Sequence, residues 1–186
     1  MIDQSKNAGE STLTEQIPLD SSSLRWLKGE DRRAVLDYFY DRFGVPAEIF
    51  EDFEIFERNK GIWLIRYSRW LAVLERLPVE SAGLMILRRL TRGVKPTTIA
   101  LQLFGKWINK NVVFLTEDEL FNLIQKKSVK ISSEKSREAS RGYVAVMVEE
   151  YVVGCAFYKD RQLLSQLPKS FSTVKLDGFS LATPRD

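Results

Sequence analysis

The chain has 186 residues, 44% hydrophobic and 11% aromatic, with a formal net charge of +3, no histidine and one cysteine. Those counts exclude nucleophile pairs and general bases built on histidine, histidine metal ligands, and zinc or iron–sulfur sites built on cysteine. The length suits one domain, or two small ones that share an interface.

Residues 1–23 hold one lysine (Lys6) and four acids (Asp3, Glu10, Glu15, Asp20), so the remainder carries a net +6. The segment is rich in Ser, Thr, Gln and Asn, shows no apolar period, and reads as a disordered tail. It lacks the basic start and apolar core of a signal peptide, and no apolar run approaches the ~20 residues of a membrane span. Cys155 lies inside an apolar run and reads as a buried small hydrophobe. A reducing, cytoplasmic setting without membrane contact is the expectation.

The first helix is predicted over Arg32–Phe43, with Asp31 as N-cap, Val35, Leu36, Phe39, Tyr40 and Phe43 at helical spacing, and Gly44 as the stop. Pro46 starts a short helical piece at Ala47–Phe50. Phe53–Phe56 and Ile62–Ile65 read as strands joined by a turn at Asn59-Lys60-Gly61. Trp70–Arg76 is open between strand and helix. Gly83–Arg89 reads as a buried strand running into basic residues. Thr97–Phe104 is a short helix capped by Thr97 or Thr98, with Gly105 as its stop.

Asn111–Leu115 is a strand, and Thr116-Glu117-Asp118-Glu119 carries a capping-box signature for a helix reaching about Lys126. Ser128–Ile131 is a short strand, and 132–140 a polar loop. Gly142–Val148 and Tyr151–Tyr158 are the strongest strands, separated by Glu149-Glu150. Lys159–Gln162 turns into Leu163–Leu167, and a closing strand is expected before Leu181. Helices and strands mix without a regular βαβ repeat, which favours an α+β fold.

Phosphate-binding and dinucleotide loops are absent; the ten glycines are scattered singly. Asp37 and Asp41 stand one helical turn apart as a carboxylate pair, a spacing that equally suits a solvated helix face. The conspicuous chemistry is cationic. Arg88, Arg89, Arg92 and Lys95 fall within eight residues beside a strand end, a composition suited to phosphates or to a solvated turn with ion pairs. Lys126, Lys127 and Lys130 lie between a helix end and a strand, where the helix dipole alone also favours cations. Lys135, Arg137 and Arg141 flank the Gly142 strand, and Lys169 follows Pro168. Trp63, Trp70 and Trp107 are expected to fill core, whereas Tyr143 suits either recognition or core.

Taken in order, several pieces resemble the C-terminal region of Nop/Sun-type RNA cytosine-5 methyltransferases, the bacterial RsmF group in particular. They are Asp41–Pro46, Ser81–Leu84 leading to Arg88-Arg89, Lys95-Pro96-Thr97 with Leu103-Phe104-Gly105, and Val112–Glu119. Arg141–Val144 with Val153-Gly154, and Leu163–Lys169, complete the series, which spans roughly residues 30–172. The resemblance implies a PUA-like mixed β pseudo-barrel over 96–182, preceded by an α/β subdomain over 24–95. It points to RNA contacts at Arg88, Arg89 and Lys95, at Lys126–Lys130, and at Arg141, Tyr143 and Lys169. Related modules often carry glycine after the helix that precedes their central hairpin, where this chain has Gln125-Lys126-Lys127. The methyltransferase domain, with its cofactor loop and paired cysteines, has no counterpart here.

The expectation is therefore a non-catalytic, cofactor-free protein that binds structured RNA (rRNA or tRNA), in RNA modification or ribosome assembly. The alternative is a protein-interaction subunit of a separate RNA-modification enzyme or ribosome assembly complex.

Overall fold

The computed structural model describes residues 24–74, 76 and 82–173; the predicted tail and closing strand lie outside them. The fold is mixed α+β, built on two five-stranded sheets, one of them curled into a half-barrel.

The first sheet comprises β1 (Arg25–Trp26), β2 (Phe53–Arg58), β3 (Gly61–Arg66), β4 (Leu84–Arg89) and β5 (Val94–Pro96), in that order and antiparallel throughout. Helix α1 (Gly29–Phe43) covers its inner face and buries Val35, Phe39 and Phe43. It begins earlier than predicted, after Lys28, which supplies no side-chain cap. Asp31 is therefore a first-turn residue, and its carboxylate pairs with Arg25 at 2.7 Å. The helix stops where predicted: Gly44 takes φ 76°, and the side chain of Asn109 fills the space a Cβ would need. A 3₁₀ turn, Ala47–Phe50, then delivers Phe50 to the core.

β4 departs from simple alternation. Ile62 pairs with Leu87 and Trp63 with Met85, which leaves Ile86 as the surplus residue of a bulge. Both Ile86 and Leu87 are buried in the core as a result. Met85 and Arg88, three positions apart, then share the outer face. Between β3 and β4 a short helix, α2 (Leu71–Leu74), resolves the ambiguous stretch; Trp70 beside it is 64% exposed and lies under Arg69, not in the core.

Helix α3 (Thr98–Leu103) joins the two sheets. Thr97 caps it, accepting from the Ala100 N–H at 3.1 Å and donating to the Met85 carbonyl at 2.6 Å. Instead of ending in a stop, Gly105 opens a 3₁₀ turn through Trp107. Phe39, Phe50 and Phe104 form one aromatic cluster with centroid separations of 4.9–5.6 Å. Ala145 and Cys155 from the second sheet belong to the same core.

That second sheet contains β6 (Val112–Phe114), β7 (Val129–Lys130), β8 (Gly142–Val148), β9 (Tyr151–Lys159) and β10 (Gln162–Ser165), in spatial order β6-β8-β9-β10-β7. β6 and β8 are parallel; the other pairs are antiparallel. Helix α4 (Glu117–Ile124) opens with the predicted reciprocal cap between Thr116 and Glu119 and buries Leu123 and Ile124. It ends two residues before the predicted stop, and its exit is left-handed at Lys126, φ 62°. A 3₁₀ turn, Lys169–Thr173, follows β10.

Candidate nucleic-acid interface

Three predicted cations from distant parts of the chain meet around the turn after β10. The Lys95 amine, on β5, donates to the Gln166 side chain at 2.7 Å. Lys126, at the exit of α4, donates to the Leu167 carbonyl and to the Ser165 hydroxyl at 3.3 Å. Burial lowers the Lys126 ammonium below its ordinary pKa, and the charges of Lys95 and Lys169 push it the same way. Lys95 and Lys126 thus both bond to the Ser165–Leu167 turn, which ends two residues before Lys169. Neither Lys95 nor Lys126 has a carboxylate partner among the described residues.

The first sheet extends this charge. Arg58 pairs with Gly61, Gly61 with Arg88, and Arg88 with Lys95, so one row crosses four strands. Side chains in such a row leave the sheet on the same face. Three of its four members are cations and the fourth is glycine. The ridge thus runs from Arg58 through Arg88 and Lys95 towards Lys126 and Lys169. Arg58 escapes sequence reasoning because it becomes informative only once the register is known.

The other predicted residues sort differently. Arg89 faces the opposite side, where Glu57 accepts from it and also from Arg25 at 2.5 Å. Burial alone would raise the Glu57 carboxyl, but the hydrogen bonds from Arg89 and Arg25 outweigh it and hold it below its ordinary value. Arg89 is thus committed to an intramolecular pair. Arg92 is exposed in the β4–β5 turn, and Lys127 and Lys130 are exposed beside β7. Lys135 pairs with Glu119 at 2.5 Å.

Tyr143 packs edge-on against Phe157 at 5.3 Å and lies at the margin of the first core, so core placement is its observed role. Its strand is anchored by Arg42, which sequence reasoning did not single out. Arg42 donates to the Tyr143 carbonyl at 2.6 Å, the Ser140 hydroxyl at 2.6 Å and the Ser140 carbonyl at 2.8 Å. Asn111 completes the node, donating to the Arg42 carbonyl and accepting from the Ser140 N–H, each at 2.8 Å. Arg141 is exposed beside this node. The ten predicted residues therefore do not form one surface; Arg88, Lys95, Lys126 and Lys169 do gather.

Trp63 also departs from expectation. It lies on the outer face of the first sheet in an aromatic row, stacked near-parallel on Phe56 (8° between planes), with Trp26 edge-on to Phe56. Asp37 and Asp41 are both exposed on α1. Cys155 is buried, and burial pushes its thiol up to about 12. Among the described residues, no group of three or more Asp, Glu or Cys is arranged to hold a metal, and no helix is long and apolar enough to cross a membrane.

Residues 1–83 match a family of unknown function, DUF7122. The match takes in Arg58, Gly61 and Trp63 and ends just before β4. No curated protein matches the chain.

Proposed function

We propose that the protein binds structured RNA, rRNA or tRNA, through the ridge of Arg58, Arg88, Lys95, Lys126 and Lys169, and that it does so without catalysing a reaction. The observation that carries this reading is the convergence of Lys95, Lys126 and Lys169 from three separate segments. Gathering like charges costs folding energy, and a polyanion returns that energy by neutralising them. Guanidinium forks at Arg58 and Arg88 suit phosphate oxygens, while lysines act as point charges along the backbone path. Such contacts position an RNA by its phosphates and shape rather than by base identity.

The PUA-like assignment belongs to the same proposal. It is supported by the mixed second sheet with α4 leading into its edge strand β7, and by the left-handed Lys126 within Gln125-Lys126-Lys127, the stretch where related modules often carry glycine. Involvement in RNA modification or ribosome assembly follows from the resemblance alone, and a reducing, cytoplasmic setting from the lone, buried Cys155.

The test is binding of a folded tRNA or rRNA fragment across a salt series. Affinity should fall steeply between low and physiological salt, with a slope reduced by about 1 for each ridge cation neutralised. A salt-independent association, or none at micromolar protein, overturns the reading. A second reading, a docking subunit for a modification enzyme, draws on Tyr67 and Trp70, 66% and 64% exposed beside α2. Its signature is a protein partner retained after nuclease treatment and lost on Trp70→Ala.

A further inference from the structure

The outer face of the first sheet contains a cavity of about 400 Å³ lined by Arg58, Asn59, Lys60, Gly61, Trp63, Met85 and Arg88. Its volume lies in the range of small-molecule sites. Three of the seven lining residues are cations and none is an acid. The indole Nε1 of Trp63 and the Nε of Arg58 are both buried and have no hydrogen-bond partner among the described residues. A buried donor without a partner is costly, and two such donors beside one cavity share one chemical need, an acceptor.

The backbone arranges this on purpose-built geometry. Because Gly61 has no Cβ, the Trp63 Nε1 lies 2.6 Å and the Met85 methyl 2.9 Å from where that atom would stand. The indole therefore lies over the row position between Arg58 and Arg88. The bulge at Ile86 then turns Arg88 to the same side as Met85. Side chains from β2, β3, β4 and the β2–β3 turn thus line the cavity.

We propose that this cavity receives a terminal phosphate of RNA, held by Arg58 and Arg88 with the Trp63 N–H and Lys60 completing the cage. A phosphomonoester offers three free oxygens and up to two negative charges, against two oxygens and one charge for an internal diester. A cage rich in donors and lacking any acid matches the former. The inference deepens the RNA reading and rests on it: Arg58 and Arg88 belong to both, so the chain end would enter the cavity while the body of the RNA follows the ridge to Lys126.

The experiment compares one oligoribonucleotide in 5′-phosphorylated, 3′-phosphorylated and fully hydroxyl-ended forms, with wild type, Arg58→Gln, Trp63→Phe and Lys126→Gln. In wild type one phosphorylated end should bind about tenfold tighter than the hydroxyl-ended form, the equivalent of one charge-assisted contact set. Arg58→Gln should abolish that difference, and Trp63→Phe, which preserves the ring's shape, should reduce it. Lys126→Gln should weaken all three forms alike. Equal binding of the three forms by wild type overturns the cavity while leaving the ridge intact. If no RNA binds, adenosine monophosphate separates the two ideas by quenching of tryptophan emission. Saturable quenching lost in Arg58→Gln keeps the cavity and removes the RNA reading; no quenching removes both.

Discussion

Arg88 and Lys95 stand directly opposite each other across the β4–β5 pair, two cations on one face of an antiparallel ladder. Like charges so placed destabilise a sheet by about 0.2–1 kcal/mol. Arg88→Gln should therefore leave the thermal midpoint unchanged or slightly raised while weakening RNA binding and lowering its salt slope by about 1. Calorimetry beside a salt-series titration checks both; a drop in stability with unchanged binding contradicts the assignment.

Lys126 offers a sharper separation of folding from binding. Its backbone is left-handed at φ 62°, where a non-glycine residue costs about 1–2 kcal/mol. Its ammonium meanwhile suffers burial and the neighbouring Lys95 and Lys169 charges. Lys126→Gly removes all of these penalties, along with the bonds to Leu167 and Ser165. The expected outcome is a protein at least as stable as wild type in urea unfolding, with weaker RNA binding. Lys126→Arg should keep the binding and not gain the stability.

The shared core predicts a large stability loss at a position far from any charge. Phe104 contacts both Phe39 and Phe50 where the two sheets meet. Phe104→Ala should cost about 3–5 kcal/mol, read from denaturant midpoints. Both halves should unfold together, because Ala145 and Cys155 are packed in the same cluster.

Acid should act first through Glu57 and Glu119. In each, burial would raise the carboxyl, but hydrogen bonds outweigh it: from the cations Arg89 and Arg25 at Glu57, and from the Lys135 ammonium and the neutral Thr116 N–H at Glu119. A carboxyl lowered in the folded state binds fewer protons there than in the unfolded chain. Its stabilisation is present above the ordinary carboxylate value, about 4.3, and is lost as pH falls through the lower folded value. Melting temperature should decline as pH falls below about 4.3, and less steeply in Glu57→Gln. An equal slope in the variant would show Glu57 to be uninvolved.

Local chemistry made most elements legible. The apolar spacing of α1 and its glycine stop, the Thr116–Glu119 cap, and the hairpin at Asn59–Gly61 each follow from residues close in sequence. The start of α1 was not legible, because Asp31 answers to Arg25 across a tertiary contact rather than to the helix end. Charge clusters announced themselves, yet clustering in sequence did not decide which cations meet in space. Adjacent Arg88 and Arg89 face opposite ways, while Lys95, Lys126 and Lys169 become neighbours only through sheet order and the turn at Gln166. Arg58 and Arg42 carried no local signal, since their roles depend on register and on a loop about a hundred residues distant; Trp63 stood out as an aromatic, but which face of the sheet it takes depends on strand pairing.

The surplus residue in β4 has an evolutionary implication. Taking Ile86 out would restore ordinary alternation and leave Arg88 facing Gly61, so the strand would keep its outward chemistry while the interior lost one large side chain. Length variation at this one position would thus tune the robustness of the molecule without rewriting what it displays.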